Sequence, residues 1–297
     1  MVRVRVPATI ANLGPAFDAL GIAVSLYNTV ELEPGPSPWV EIHGEGEGAL
    51  PADDHNLVYR AAAAVAGAAG RRDAFHLRCR NDIPLARGLG SSAAAIVGGM
   101  VAANAALGRP LDADVLLRLA VGFEGHPDNV APALFGGAVV CGFSGGAQVA
   151  YTRLTPAWKA VLVVAIPGFQ VSTEEARRRI PAVVPFADAA GNVARTAALV
   201  VSLLTGRMEL LTHAMDDALH QPYRAALVPG MQAVFAAARA AGAYGAALAG
   251  SGPSIVAPAS VDRAAAVGDA MTRAFQDAGA VARVVVLHID PDGATVI

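Results

Sequence analysis

Residues 88–108 of this 297-residue chain hold no charged side chain, and they open with Gly88-Leu89-Gly90-Ser91-Ser92. A run of that length allows two structures. It can cross a membrane, which takes about 20 predominantly apolar residues, or it can be a helix buried on every side in a core. Residues 129–152 and 242–261 are also free of charge and pose the same choice. All three windows carry Gly, Ser, Asn or Pro at intervals, and the latter two are broken by Gly-Gly or by Gly-Ser-Gly-Pro. A spanning segment is richer in Leu, Ile and Phe. The composition therefore predicts three buried interior segments beside loops, with no membrane partner.

The rest of the composition agrees. Hydrophobic residues make up 54% and charged residues 16%, and much of the apolar content is Ala and Val, which suits a compact α/β enzyme. A formal net charge of −3 leaves no basic surplus to neutralise phosphates, so no nucleic-acid partner is expected. Cys79 and Cys141 stand far apart with no CxxC, against a disulfide framework or a structural zinc site. They are expected to be buried thiols in a reducing cytosol. The first residues, MVRVRVP, alternate Arg with Val as a strand does and lack the apolar core of a signal peptide, so a cytoplasmic location is expected.

Periodicity and breakers predict strands at residues 2–6, 22–32, 39–43, 75–79, 138–142, 160–166, 244–249, 254–257 and 281–289. They predict helices at 56–69, 91–107, 113–123, 173–179, 192–205, 208–219, 231–241 and 261–277. The order strand, turn, strand, helix, strand at the end suggests an α+β layer with helices on one face. The length suits two domains, divided near residues 153–158 into 1–155 and 156–297.

Three segments carry chemistry. A Gly-rich turn leading into a helix lets backbone amides approach an anion, at the positive end of the helix dipole. The Gly88–Ser92 stretch has that form without the Gly-Lys-Ser/Thr ending of a Walker A loop. On spacing alone it is equally a tight turn with a serine N-cap. "PATIANLGPAFDALG" packs Asn12 and Asp18 into one turn-rich stretch. "EGHPDNVAPALFGG" gathers Glu124, His126, Asp128 and Asn129 where Gly125 and Pro127 are expected to break a helix into a loop. Singly, His126 reads as an ordinary loop histidine and Asp128 as a cap. The cluster is harder to dismiss.

Those segments, with "AALAGSGPSIVAP", resemble the motifs of the GHMP kinases, and "HQPYR" makes them most similar to the branch that acts on L-homoserine. The resemblance covers essentially the whole chain. It implies a two-domain α+β GHMP kinase fold, with a ribosomal-protein-like, ATP-binding N-terminal domain and a ferredoxin-like C-terminal domain. It implies transfer of the γ-phosphate of ATP to the hydroxyl of L-homoserine in threonine biosynthesis, giving O-phospho-L-homoserine and ADP, with Mg²⁺. Homodimers are common among such enzymes.

The resemblance also implies roles. Asn12, Asp18, His126 and Asp128 surround the amino acid, and Arg177 and Arg224 receive its carboxylate. Gly88, Leu89, Gly90, Ser91, Ser92 and Ala93 cradle the phosphates, and Asn56 lies near the base. Ser92 and Glu124 hold the metal and, with His126 and Asn129 orienting the acceptor, form the catalytic set. The residues themselves leave Arg177 open to membership of a solvated face, with Glu174 and Glu175 as i,i+4 partners of the Arg177–Arg179 run. They leave Arg224 open to a surface role after Pro222. Two departures from the family pattern stand out. Ala16 replaces a usual Gly, and Ala86-Arg87 precedes the Gly-rich loop, where Arg87 is expected to add charge near the triphosphate. The alternatives are another GHMP small-molecule kinase, whose substrates would lack the ammonium, or a non-catalytic nucleotide and metabolite sensor.

Overall fold

The computed structural model describes residues 1–144 and 148–297. Residues 145–147 of the charge-free window 129–152 lie outside the described residues. Among the described residues the strands form two sheets. The first holds β1 (Val2–Ala11), β2 (Leu20–Gly35), β3 (Trp39–Gly44), β4 (Ala74–Asn81), β5 (Ala138–Ser144) and β6 (Gln148–Leu154). β1 pairs with β2, β2 with β4 and β5, and β5 with β6, all antiparallel, whereas β3 runs parallel to β4. The second sheet is antiparallel in the order β10 (Ala282–Leu287), β7 (Val161–Pro167), β9 (Ile255–Ala259), β8 (Ala247–Leu248). The chain then returns, and β11 (Thr295–Val296) pairs with β1.

Helices α1 (Leu57–Ala68), α2 (Ser91–Ala106), α3 (Ala113–Glu124) and α4 (Pro127–Phe135) lie with the first sheet. α5 (Thr173–Arg178), α6 (Phe186–Thr205), α7 (Leu211–Ala214) and α8 (Gln221–Arg224) follow β7. α9 (Met231–Ala240) and α10 (Ala264–Asp277) pack on the second sheet. The α+β expectation holds.

Most of the charge-free run 88–108 is α2, a helix buried by protein. It packs against β1, β2, α1, α3 and α4, so its charge-free surface is covered by protein. Gly98 and Gly99 make the approach possible. A Cβ at Gly98 would lie 2.8 Å from Val30 Cγ2, and one at Gly99 would overlap the Val58 carbonyl. Ile96 and Val97 are buried there, each worth roughly 2 kcal/mol of transfer free energy. No helix among the described residues is long and apolar enough to cross a membrane.

β7 is buried along its whole length. Its alternation splits the strand between two cores. Leu162, Val164 and Ile166 join the core of the first sheet, while Val161, Val163 and Ala165 join the core under α9 and α10. Cys79 and Cys141 are buried, as expected, and burial pushes both thiols well above their usual range.

Several elements differ from expectation. The 208–219 helix is only a 3₁₀ turn at Met208–Leu210 followed by the four-residue α7. Asp217 stops it by drawing the backbone amides of Leu219, His220 and Gln221 onto its carboxylate. α6 starts at Phe186, directly after Pro185, rather than at 192. The expected strand at 244–249 is reduced to two residues. The 125–137 stretch is no loop: Gly125 ends α3 in the left-handed region, and Pro127 starts α4, where its missing N–H costs nothing. α6 leaves Phe186, Val193, Val201 and Leu204 exposed.

Candidate active site

The Gly-rich loop sits where three chain segments meet. A Cβ on Gly88 would overlap the Ala249 carbonyl, and Gly250 N donates to Ala11 O at 3.1 Å. Asn12 Nδ2 donates to Gly250 O at 3.0 Å, and its Oδ1 accepts from Asp18 N at 3.0 Å. Asn12 and Asp18 both adopt positive φ, 71° and 55°, a region Asn and Asp enter more readily than other L residues. Thus Asn12 ties the first turn to the hairpin of the second sheet.

The N-cap of α2 is Gly90 at φ 67°, with no side-chain cap. Ser91 and Ser92 lie inside the helix, which overturns the serine-cap alternative. The first helical bond runs from Ala94 N to Gly90 O at 2.9 Å, leaving the amides of Ser91, Ser92 and Ala93 without helical acceptors. Ala93 turns its methyl into the core and offers only its amide. Leu89 is buried, and its carbonyl accepts from Thr9 N at 3.1 Å. Arg87 keeps its charge at the border of the cavity that this loop lines, and backbone carbonyls hold its guanidinium in place. Its Nε and Nη2 donate to the carbonyls of Pro167 and Gly168 at 2.9 and 2.8 Å, and Nη1 to Leu85 O at 3.0 Å.

Ser92 Oγ donates to Glu124 Oε1 at 2.8 Å, so the last residue of α3 faces the first turn of α2. Burial raises the Glu124 pKa. The Ser92 hydrogen bond and the charges of His126 and Arg177 oppose the rise, and Asp128 adds to it. Beyond Gly125, His126 Nδ1 bonds Asp128 Oδ1 at 2.5 Å. Burial works against the imidazolium, but that bond and the carboxylates of Asp128 and Glu124 outweigh it, so the His126 pKa is raised. Asp128 is therefore neither a cap nor free. Asn129 Oδ1 accepts from Thr9 Oγ1 at 2.8 Å, and the residue lines the same cavity.

At the far end, Arg177 makes a bidentate pair with Asp18, Nη1 to Oδ2 at 3.0 Å and Nη2 to Oδ1 at 2.7 Å. The solvated-face alternative holds only for its neighbours. Arg178 and Arg179 reach Glu174 and Glu175 at 4.0 Å on the exposed side of α5. Arg224 is 2% exposed, which overturns its surface alternative. The Phe17 ring lies near both guanidiniums, 5.4 Å from Arg177 and 5.3 Å from Arg224. Asn56 caps α1, accepting from Val58 N at 3.0 Å, and also borders the cavity.

One cavity of about 500 Å³ joins these groups, from Asn56 past the α2 N-terminus and Glu124 to Asp18, Arg177 and Arg224. Among the described residues, Asp18, His126 and Asp128 present ligand atoms within 4.8 Å of one another, as does the exposed trio Asp53, Asp54 and His55. Sequence reasoning missed Thr9, Phe17, Asn192, Asp217 and His220. The polar run Asp216-Asp217 to His220-Gln221 before Pro222 carries the same signal as the segment around Pro127, and the expected helix 208–219 covers only its first part.

An amide cradle facing a carboxylate and a hydroxyl, beside a second pocket of paired charges, defines a small-molecule phosphotransferase. Residues 56–137 match the family model "GHMP kinases N terminal domain", and residues 199–277 match "GHMP kinases C terminal". The chain belongs to the GHMP kinase family. It is 48% identical over 99% of its length to a homoserine kinase of Carboxydothermus hydrogenoformans, covering 96% of that protein. It is 49% identical over 94% of its length to a homoserine kinase of Moorella thermoacetica, again covering 94% of it. The crystal structure of homoserine kinase from Cytophaga hutchinsonii superposes with a TM-score of 0.90 at 32% identity, covering all of this chain and 97% of that one.

Proposed function

We propose that the protein is a homoserine kinase, transferring the γ-phosphate of ATP to the hydroxyl of L-homoserine. The observation that carries this reading is the pairing of two unlike sites in one cavity. One end offers helix amides, Ser92 and Glu124; the other offers carboxylates and guanidiniums together. An amino acid zwitterion needs both signs, and a mevalonate-type acceptor has no ammonium to use the carboxylates.

The triphosphate lies on the Gly88–Ser92 turn and the Ala93 amide, with the base toward Asn56, Leu57 and Ile42. Ser92 and Glu124 fit Mg²⁺: both supply hard oxygen donors, 2.8 Å apart, at the mouth of α2. An ion held by Ser92 and Glu124 would supply positive charge against the transferring phosphate. Asp18 and Asp128 take the acceptor's ammonium, Arg177 and Arg224 its carboxylate. His126 and Asn129 orient its hydroxyl for in-line attack. A loose transition state needs little nucleophile activation, so Asp18 is assigned to binding rather than to a general-base role. The proposed division into 1–155 and 156–297 is supported by the change from the first sheet to the second between β6 and β7, with β11 crossing back.

The test is ADP release with Mg-ATP and a panel of small alcohols. Turnover of L-homoserine is expected. Turnover of another alcohol in its place points to a sibling activity, and no turnover at all points to a sensor. Asp18→Asn is expected to raise the KM for L-homoserine about 10- to 100-fold with less than about a tenfold loss of kcat. A collapse of kcat at saturating homoserine makes Asp18 a base instead.

The homodimer expectation finds support in the apolar stripe Phe186, Val193, Val201 and Leu204 on α6. Sedimentation is expected to give a dimer that Val193→Glu converts to monomer. A monomeric wild-type chain removes this part of the reading.

A further inference from the structure

We infer that His220 is a positioning residue for the acceptor end of the cavity: its Nδ1 lone pair holds one terminal nitrogen of Arg224, so that the other faces the ligand. The inference rests on the reading that Arg224 receives the acceptor's carboxylate.

The donors of Arg224 can be followed one by one. Nε donates to Ala176 O at 3.3 Å, and Nη1 donates to Gly250 O at 3.2 Å and to His220 Nδ1 at 3.0 Å. Nη2 has no protein partner among the described residues, and it is not sealed in as an orphan, since Arg224 borders the cavity. A guanidinium only donates, so Nδ1 of His220 must accept. The ring proton then sits on Nε2, which donates to Gly14 O at 2.7 Å. This is one neutral tautomer with both nitrogens committed.

The surroundings hold that state. His220 is fully buried, so no solvent competes for either bond. Burial lowers its pKa to about 4. The Arg224 charge acts in the same direction, and the charges of Asp217 and Asp18 and the Gly14 bond oppose them. Asp217 Oδ2 is 3.6 Å from Nε2, too far to displace the Gly14 carbonyl. Asp217 acts on the backbone instead. It accepts from His220 N at 2.9 Å and from Asn192 Nδ2 at 2.8 Å. Phe17 stacks on the imidazole at 5.2 Å and fixes the ring plane. His220 and Arg224 are four residues apart at α8, so a fixed ring aims the guanidinium directly.

Two substitutions separate positioning from simple core filling. His220→Asn can keep an acceptor near Nδ1 and loses the bond to Gly14. His220→Gln can keep the donor to Gly14 and loses the acceptor for Arg224. Assayed beside wild type, H220Q is expected to raise the KM for L-homoserine about 10- to 100-fold, with the KM for ATP and kcat little changed. H220N is expected to stay within about threefold of wild type for all three. Equal effects of the two variants, or effects shared by both substrates, overturn the inference. A wild-type chain that does not turn over L-homoserine overturns the kinase reading instead. Nitrogen NMR of the unsubstituted protein gives a check that needs no variant. An unprotonated Nδ1 and a protonated Nε2 are expected at neutral pH, and the reverse tautomer or an imidazolium rules the inference out.

Discussion

Replacing Glu124 by glutamine is expected to lower kcat by about 10²- to 10³-fold, with the KM for L-homoserine little changed. Glutamine has nearly the same shape, and its carbonyl can still accept the Ser92 hydroxyl, so the substitution isolates the charge. That charge opposes the fold. Burial lifts the Glu124 pKa above the usual carboxylate range despite the help of Ser92, His126 and Arg177. The sign of the pH dependence follows. The ionised form is the one able to hold a cation, so activity should fall as pH drops through the raised pKa. A folded-state pKa above the unfolded value means that stability from this group is present below the unfolded value and lost as pH rises through the folded one. Glu124 thus contributes to function and to stability with opposite pH dependence. E124Q should therefore melt no lower than wild type at neutral pH while losing turnover. Steady-state rates and thermal midpoints across pH read both quantities. Retention of kcat within about threefold at saturating Mg-ATP would remove Glu124 from the metal site.

Gly88→Ala is expected to be the most damaging substitution in the nucleotide loop, at about 3 kcal/mol or more. At φ 74° an L side chain is already strained, and its Cβ would overlap the Ala249 carbonyl. The obstacle is backbone and cannot rotate away. For a chain of this size the loss corresponds to roughly 6–12 °C in midpoint. ATP affinity should fall with it, because the loop carries the α2 amides. Gly67→Ala is the control. Gly67 lies in α1, and a Cβ there meets nothing within 4 Å, so a gain of up to about 1 kcal/mol is expected from helix propensity. A G88A midpoint within about 2 °C of wild type would mean that the loop and the hairpin are not locked together.

What the sequence revealed and what it hid follow one physical line. α2 was readable because local rules agree on it: glycines before the helix, no charge within it, small residues where neighbours press close. Asp18 stood out in its turn-rich stretch and Arg177 came only through the family resemblance, but the pairing of the two was not readable. Asp18 and Arg177 are 159 positions apart in the chain, and nothing local distinguishes Arg177 from the two arginines after it. α4 was misread because glycine and proline usually punctuate structure, yet Pro127 starts a helix and Pro132 is tolerated inside it. The 208–219 segment failed for the opposite reason. Its spacing is helical, but a single carboxylate, that of Asp217, captures the amides that a helix would need. In both failures a side chain or a neighbouring element outweighed local preference.

β7 sends alternate residues into the two cores, so neither hydrophobic mass is complete without it. A hinge between the lobes at this point would expose valines on both sides at once. The lobes are therefore expected to move as one body. Passage of reactants in and out must then rely on small local swings, such as a turn of α5 that lifts Arg177 off Asp18, rather than on jaw-like closure of the whole molecule.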